Sequence, residues 1–240
     1  MIEIKDLTVR FGGVTPLDHM TITFDEGTNG LIGPNGAGKT TFFNVLSGFV
    51  RPAEGSVTAF GENLLTMAHF RRARWGVRRT FQTEQAIEEL SIFDNVGMVH
   101  EHSSKDSIGA RTEAVLSAIE FVGLTGNPQT RVGTLGAGDR RLVELARAVV
   151  GQPRVILLDE PAAGLPDEES ERTSEVIQKI PAELGALVIL VDHDMSLVSA
   201  CCSKTAVLDF GKLSASGDTA DVLRNNEVKK AYLGVEAVAV

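Results

Sequence analysis

One eight-residue stretch, Gly33-Pro34-Asn35-Gly36-Ala37-Gly38-Lys39-Thr40, constrains this chain more than any other feature. Its glycines let the backbone turn so tightly that successive N–H groups can point into one concavity, which suits the oxygens of a phosphate chain. Lys39 can reach the outer phosphates, and the Thr40 hydroxyl can ligate Mg²⁺. The flanks supply the context such a loop needs. Leu31-Ile32 reads as the end of a strand, and Thr40 to Leu46 as a helix stopped by Gly48. The loop therefore meets a helix N-terminus, whose dipole favours an anion.

A second signal lies about 120 residues downstream. Val155-Ile156-Leu157-Leu158 is a continuous apolar run, the pattern of a strand buried on both faces, and it ends in Asp159-Glu160. Ligands of α/β sheets sit at such carboxyl ends. Asp159 can hold Mg²⁺, and Glu160 can orient or deprotonate an attacking water.

Between and around these signals the chain changes character. Ile2 and Ile4, then Leu7, Val9 and Phe11, follow a period of two, and so do Met20, Ile22 and Phe24, which predicts antiparallel strands. From Glu84 to Gly138 helical signals dominate. Glu113 to Val122 places Val115, Leu116, Ile119 and Val122 on one face before Gly123, His100 to Gly109 reads as a polar loop, and a further helix is expected over Asp139 to Val150. The α/β pattern then returns: a helix over Glu168 to Ile180 closed by Pro181, a buried strand over Leu187 to Val191, and a hairpin around Gly211. There is no internal repeat.

Bulk composition narrows the function. The 240 residues, 43% hydrophobic and 23% charged, suit one large α/β domain with a core of its own. Cys201 and Cys202 are adjacent, which rules out a disulfide framework or zinc cage and suits a reducing compartment. Met1 to Arg10 shows no basic start followed by an apolar run, so no leader is expected. Apolar runs such as Ala186 to Val191 fall far short of the roughly 20 residues a bilayer span needs. A membrane would be reached through partners. The net charge of −9 argues against nucleic acid as a partner. Arg71, Arg72, Arg74, Arg78 and Arg79 form a local basic cluster, read either as a solvated surface or as a face near anionic lipid or a membrane-embedded partner.

Taken together, the Gly33 to Thr40 loop, Asp159-Glu160, Gln82 in Arg79-Thr80-Phe81-Gln82 and His193 in Val191-Asp192-His193-Asp194-Met195 resemble the ATPases of ABC transporters over nearly the whole chain. That resemblance implies a P-loop NTPase with a RecA-like mixed sheet, an antiparallel β subdomain, and a helical subdomain inserted at about 84–144 within a single domain over 1–240. It implies ATP and Mg²⁺ as cofactors. Residues Gly33 to Thr40 and Thr41 would bind nucleotide and Thr40, Gln82 and Asp159 the metal. Glu160, His193 and Gln82 would act in catalysis. Phe11 matches the aromatic that stacks on adenine, although its position also suits a core residue.

Leu135-Gly136-Ala137-Gly138-Asp139 matches the segment that contacts ATP across a dimer, with departures. Gly136 lacks the usual hydroxyl, Ala137 replaces a glycine, and Asp139 puts negative charge where an amide is usual. A lost hydrogen bond to a charged group costs about 1.5–3 kcal/mol, so the ATP site built on the partner's loop is expected to be the weaker one, favouring a heteromeric pair. Pro166 stands where Asp or Asn is usual in the loop that links the two sites. Thr28-Asn29-Gly30 is a poor opening for a buried strand and one residue short of the family's spacing.

Several stretches resemble the branched-chain amino acid uptake branch in particular: Gly30 to Gly33, Thr41 to Phe49, Arg79 to Gln82, Glu160 to Leu165, His193 to Met195 and Ala231 to Gly234. The implied partners are transmembrane permease subunits, a second ABC ATPase subunit and, indirectly, a substrate-binding protein. The implied location is peripheral, on the cytoplasmic face of the inner membrane. Runner-up readings are another ABC system, moving urea or amides or exporting lipid, and a catalytically impaired partner subunit.

Overall fold

The computed structural model describes residues 1–103, 107–226 and 228, and the Ala231 to Gly234 stretch lies outside them. In chain order the described elements begin with strands β1 (Ile2–Phe11), β2 (Val14–Phe24) and β3 (Thr28–Ile32), helix α1 (Lys39–Ser47), and strands β4 (Glu54–Ala59) and β5 (Glu62–Asn63). Helix α2 (His69–Trp75), strand β6 (Val77–Arg79), helices α3 (Ile92–Ser103), α4 (Ile108–Phe121) and α5 (Ala137–Val149), strand β7 (Val155–Asp159) and helix α6 (Asp167–Leu184) follow. Last come β8 (Leu187–Val191), α7 (Met195–Cys201), β9 (Lys204–Asp209), β10 (Lys212–Asp218) and α8 (Thr219–Arg224). Two compact units emerge: Met1–His69 with Ile189–Val240, and Phe70–Val188.

In the first unit β2, β1, β4 and β5 form an antiparallel sheet in that order. The slip in the β1 pattern, from Ile4 to Leu7, is a β-bulge: the pairing with β2 shifts between these residues, and Asp6 takes a left-handed φ of 54°. His19 on β2 is left-handed as well, and its Nδ1 lies 2.7 Å from Asp6 Oδ1. Leu7 and Val9 thereby return to the buried face. Alongside, β3 pairs in parallel with β9, and β10 pairs antiparallel with β9. The β9–β10 hairpin turns on Phe210 and Gly211, both at positive φ as a two-residue primed turn requires. Phe24, Phe42 and Phe43 are fully buried, with the Phe24 and Phe42 rings 5.8 Å apart, which pins α1 against β2.

The opening of β3, poor by its sequence, has a packing reason. Asn29 is buried, and its side-chain amide donates to the carbonyl of Asp25 at 2.8 Å. A Cβ on Gly30 would lie 2.7 Å from Thr205 Oγ1, a buried hydroxyl that is itself 2.8 Å from Thr219 Oγ1.

In the second unit β6 pairs in parallel with β7, whose five residues are all buried. Three expectations change here. Residues His100 to Ser103 and Ile108-Gly109 are helical rather than loop: Glu101 and His102 are exposed on α3, while His100 turns inward and is buried. Leu116 is 43% exposed and stands off the buried face that Val115 and Ile119 share. Pro181 does not close α6; the helix runs one turn further to Gly185, at φ 65°, whose N–H donates to the Pro181 carbonyl. Proline removes only its own donor, so a final turn can form after it.

Gly30→Ala is expected to lower stability by about 1–3 kcal/mol through overpacking against Thr205. Thermal unfolding followed by circular dichroism checks this, at roughly 2–4 °C per kcal/mol for a chain of this size.

Candidate functional site

The first unit carries the Gly33 to Thr40 loop. It runs from β3 into α1, with Gly38 as the left-handed residue before the helix at φ 111°. Two glycines here have no substitute. A Cβ on Gly33 would lie 2.1 Å from the Leu208 carbonyl oxygen, and one on Gly38 would lie 2.2 Å from the Pro16 carbonyl oxygen. Gly36 has open space where its Cβ would be. The Lys39 side chain folds back along the loop, its ammonium donating to the carbonyl of Gly33 and, at 3.0 Å, to that of Pro34. Gly211 ties the loop to its neighbours, its N–H donating to the Ala37 carbonyl while its own carbonyl accepts from the Asp18 N–H, each at 2.9 Å.

Phe11 ends β1 with 53% of its surface exposed, which excludes the core reading. His193 follows β8 and is exposed. The neighbouring Asp192 is buried and accepts the Asp194 N–H at 2.9 Å, while Asp194 caps α7. A cavity of about 250 Å³ on this unit, with Asp25 and Lys204 in its wall, contains none of the expected site residues.

The second unit carries the two acids. Asp159 ends β7 with 7% of its surface exposed, and Glu160 follows at a left-handed φ of 50°. Both are held by the end of β6 and the residues that follow it. Arg79 Nη2 is 2.9 Å from Asp159 Oδ2, the Thr80 hydroxyl accepts the Asp159 N–H at 3.1 Å, and Gln82 Nε2 donates to Glu160 Oε2 at 3.0 Å. Gln82 and Glu160, both singled out in the sequence, are thus in direct contact. Arg79 and Thr80 were not assigned to the site.

The basic cluster divides: Arg71 and Arg74 are exposed, whereas Arg72, Arg78 and Arg79 turn inward. Arg72 and Arg78 are buried, and the Arg79 side chain is 6% exposed. Burial pushes the Arg78 guanidinium down to about 10, and one of its nitrogens donates to the Ala73 carbonyl. Arg74 donates to the His102 carbonyl at 3.2 Å.

Leu135 to Asp139 leads into α5. Gly136 is the N-cap and offers no side-chain hydrogen bond, as the missing hydroxyl implies. A Cβ on Gly138 would lie 2.5 Å from Glu169 Cδ, so the end of that flexible side chain would have to move aside. Asp139 Oδ1 is 3.3 Å from Arg172 of α6, a solvent-exposed pair worth little by itself. Further along α5, the buried Glu144 accepts the Gln85 N–H and an Arg147 N–H, both at 3.0 Å, and Arg140 lies 3.2 Å from Glu84. The loop carrying Gln82 is therefore fastened to α5 by Glu144, a residue whose apolar neighbours had disguised it in the sequence.

With this geometry in view, the relatives are informative. The ABC transporter family model matches residues 17–163. The chain is 34% identical to the high-affinity branched-chain amino acid transport ATP-binding protein BraF of Pseudomonas aeruginosa, over 98% of both chains. It is 32% identical, with the same coverage, to the corresponding protein LivG of Escherichia coli. The solved ADP conformation of MJ1267, an ATP-binding cassette of an ABC transporter, superposes with a TM-score of 0.87 at 25% identity, over 98% of this chain and 99% of that one. A glycine phosphate loop and a strand ending in two acids, in this fold, define a P-loop ATPase of the cassette type. The chain belongs to the ABC transporter family, as an ATPase subunit.

Burial raises the Glu144 carboxyl above its ordinary value of 4.5, against the pull of Arg147 and the Gln85 N–H. A raised folded-state value contributes stability below 4.5 that is lost as the pH climbs through that higher value. Glu144→Gln, which stays neutral and can still accept the Gln85 N–H, should gain stability relative to the parent between pH 4 and pH 7. Urea titrations at several pH values check the sign.

Proposed function

We propose that this chain powers an importer of branched-chain amino acids from the cytoplasmic face of a membrane, through ATP-dependent closure of two cassette subunits. The cargo reading rests on the names of BraF and LivG, which are similar over nearly the whole chain. No described helix is long and apolar enough to cross a membrane, so transmembrane permease subunits are the partners such a motor needs. A substrate-binding protein would deliver cargo to them.

The observation that carries the ATPase reading is the glycine loop whose shape is fixed by backbone contacts at Gly33 and Gly38, with Lys39 gripping its carbonyls. In this reading Gly33 to Thr41 bind the phosphates and Phe11 stacks on adenine. The oxygen donors of Thr40, Asp159 and Gln82 suit Mg²⁺, a hard cation that takes oxygen ligands. Bound there, it offsets the charge that builds on the transferring phosphoryl group. Glu160 accepts a proton from water as the water oxygen bonds to the γ-phosphorus. The bond from that phosphorus to the bridging oxygen breaks, leaving ADP, and His193 and Gln82 arrange the water. Helices α3 and α4 and the first half of α5 fall within the helical subdomain inserted at about 84–144.

The uncapped Gly136 and the acidic Asp139 favour a pair of unlike subunits, the weaker ATP site lying on the partner's loop. Glu160→Gln in this chain and the matching Glu-to-Gln change in the partner, installed one at a time, should then affect turnover unequally; equal effects would point to two equivalent sites. In the whole complex, Lys39→Ala should abolish ATP turnover, and Glu160→Gln should trap an ATP-bound dimer detectable by gel filtration. Parental turnover by Glu160→Gln would remove Glu160 as the base.

A further inference from the structure

A carboxylate as enclosed as Asp159 needs a counter-charge within the protein, or it is costly to keep ionised. Arg79 supplies it. The pair is 2.9 Å long, with 6% and 10% of the two side chains exposed. Other contacts fix both ends. The Asp159 N–H donates to the buried Thr80 hydroxyl. The Arg79 guanidinium carbon sits 4.7 Å from the centre of the Phe81 ring, a cation–π arrangement. The strands that bear the two residues are parallel neighbours, with Arg79 opposite Leu157, two residues before Asp159.

We infer that Arg79 is a positioning residue for the metal: it holds Asp159 Oδ2, and so locks the carboxylate in the orientation from which its other oxygen serves Mg²⁺. The inference rests on the reading of Asp159 as a metal-binding acid. Arg79 touches neither metal nor nucleotide in this scheme and acts only through Asp159. A partner of this kind is worth about 10–100-fold in metal affinity where it has been removed elsewhere. Gln82 extends the arrangement, since the same short segment that fixes Asp159 also holds Glu160. Lysine is a poor replacement for Arg79, because a point charge on a flexible stem lacks the rigid guanidinium fork.

The test uses binding rather than turnover. The affinity of the intact chain for a fluorescent ATP analogue is measured in EDTA and again in Mg²⁺, and the ratio is the gain due to the metal. Arg79→Gln should leave the EDTA value within about twofold and cut the gain about tenfold or more. Arg79→Lys should cut it less. Asp159→Asn should also cut it, and Arg79→Gln added to Asp159→Asn should cut it no further, as expected for residues acting as one unit. If Arg79→Gln does not fold, Arg79→Lys alone decides, and a parental gain in that variant overturns the inference. If Asp159→Asn loses the gain while a folded Arg79→Gln keeps it, the inference about Arg79 fails and the metal reading of Asp159 stands. If Asp159→Asn keeps the full gain, the metal reading itself fails, and the inference with it.

Discussion

Backbone meets backbone at the phosphate loop: the Leu208 carbonyl lies where Gly33 would place a Cβ, and the Pro16 carbonyl where Gly38 would. Two segments almost 200 residues apart in the chain therefore mould one short loop. Gly211 completes the frame by accepting from one neighbour and donating to the other. The loop needs this support because its N–H groups are useful only if they already converge before a phosphate arrives. The bulges of β1, the Phe210-Gly211 turn and the anchoring of α1 by Phe42 against Phe24 all serve to keep those segments in place.

Much of this was legible in the chain because it is local. A glycine pattern before a lysine, an apolar run ending in acids, and an alternation with period two each report their own backbone. The slip from Ile4 to Leu7 was passed over as part of the alternation, and only the pairing with β2 shows it to be a bulge. Errors arose where local cues compete with tertiary support. Pro181 reads as a stop, yet one missing donor does not unwind a helix whose other face is already buried. His100 to Gly109 reads as loop by polarity, whereas Glu101 and His102 are simply the wet side of α3, and His100 is buried within it.

Charge was the least legible property. Five arginines within nine positions look like a surface, because a sequence shows a run of charge but not which members turn inward. In the fold Arg78 and Arg79 sit on a strand, and a strand sends successive side chains to opposite sides. Arg79 faces the acid at the tip of the neighbouring strand, and Arg78 meets the carbonyl of Ala73. The signal that could have found Arg79 was chemical rather than periodic. An acid at the end of a fully buried strand calls for a cation, and β6 is the strand paired beside it. Glu144 escaped for a similar reason, since nothing near it in sequence hints that it receives an N–H from residue 85.

That last contact gives the second unit a mechanical property. Gln85 hangs on Glu144, and Glu84 on Arg140, so the stretch bearing Gln82 is hitched at two rungs to the shaft of α5. The same shaft presents Leu135 to Asp139 at its tip. A few degrees of tilt in α5 would carry the tip and the hitched stretch together, like two fittings bolted to one crank. Under the roles proposed above, the Gln82 stretch and the segment meeting a facing subunit would then move in step because they share an axle.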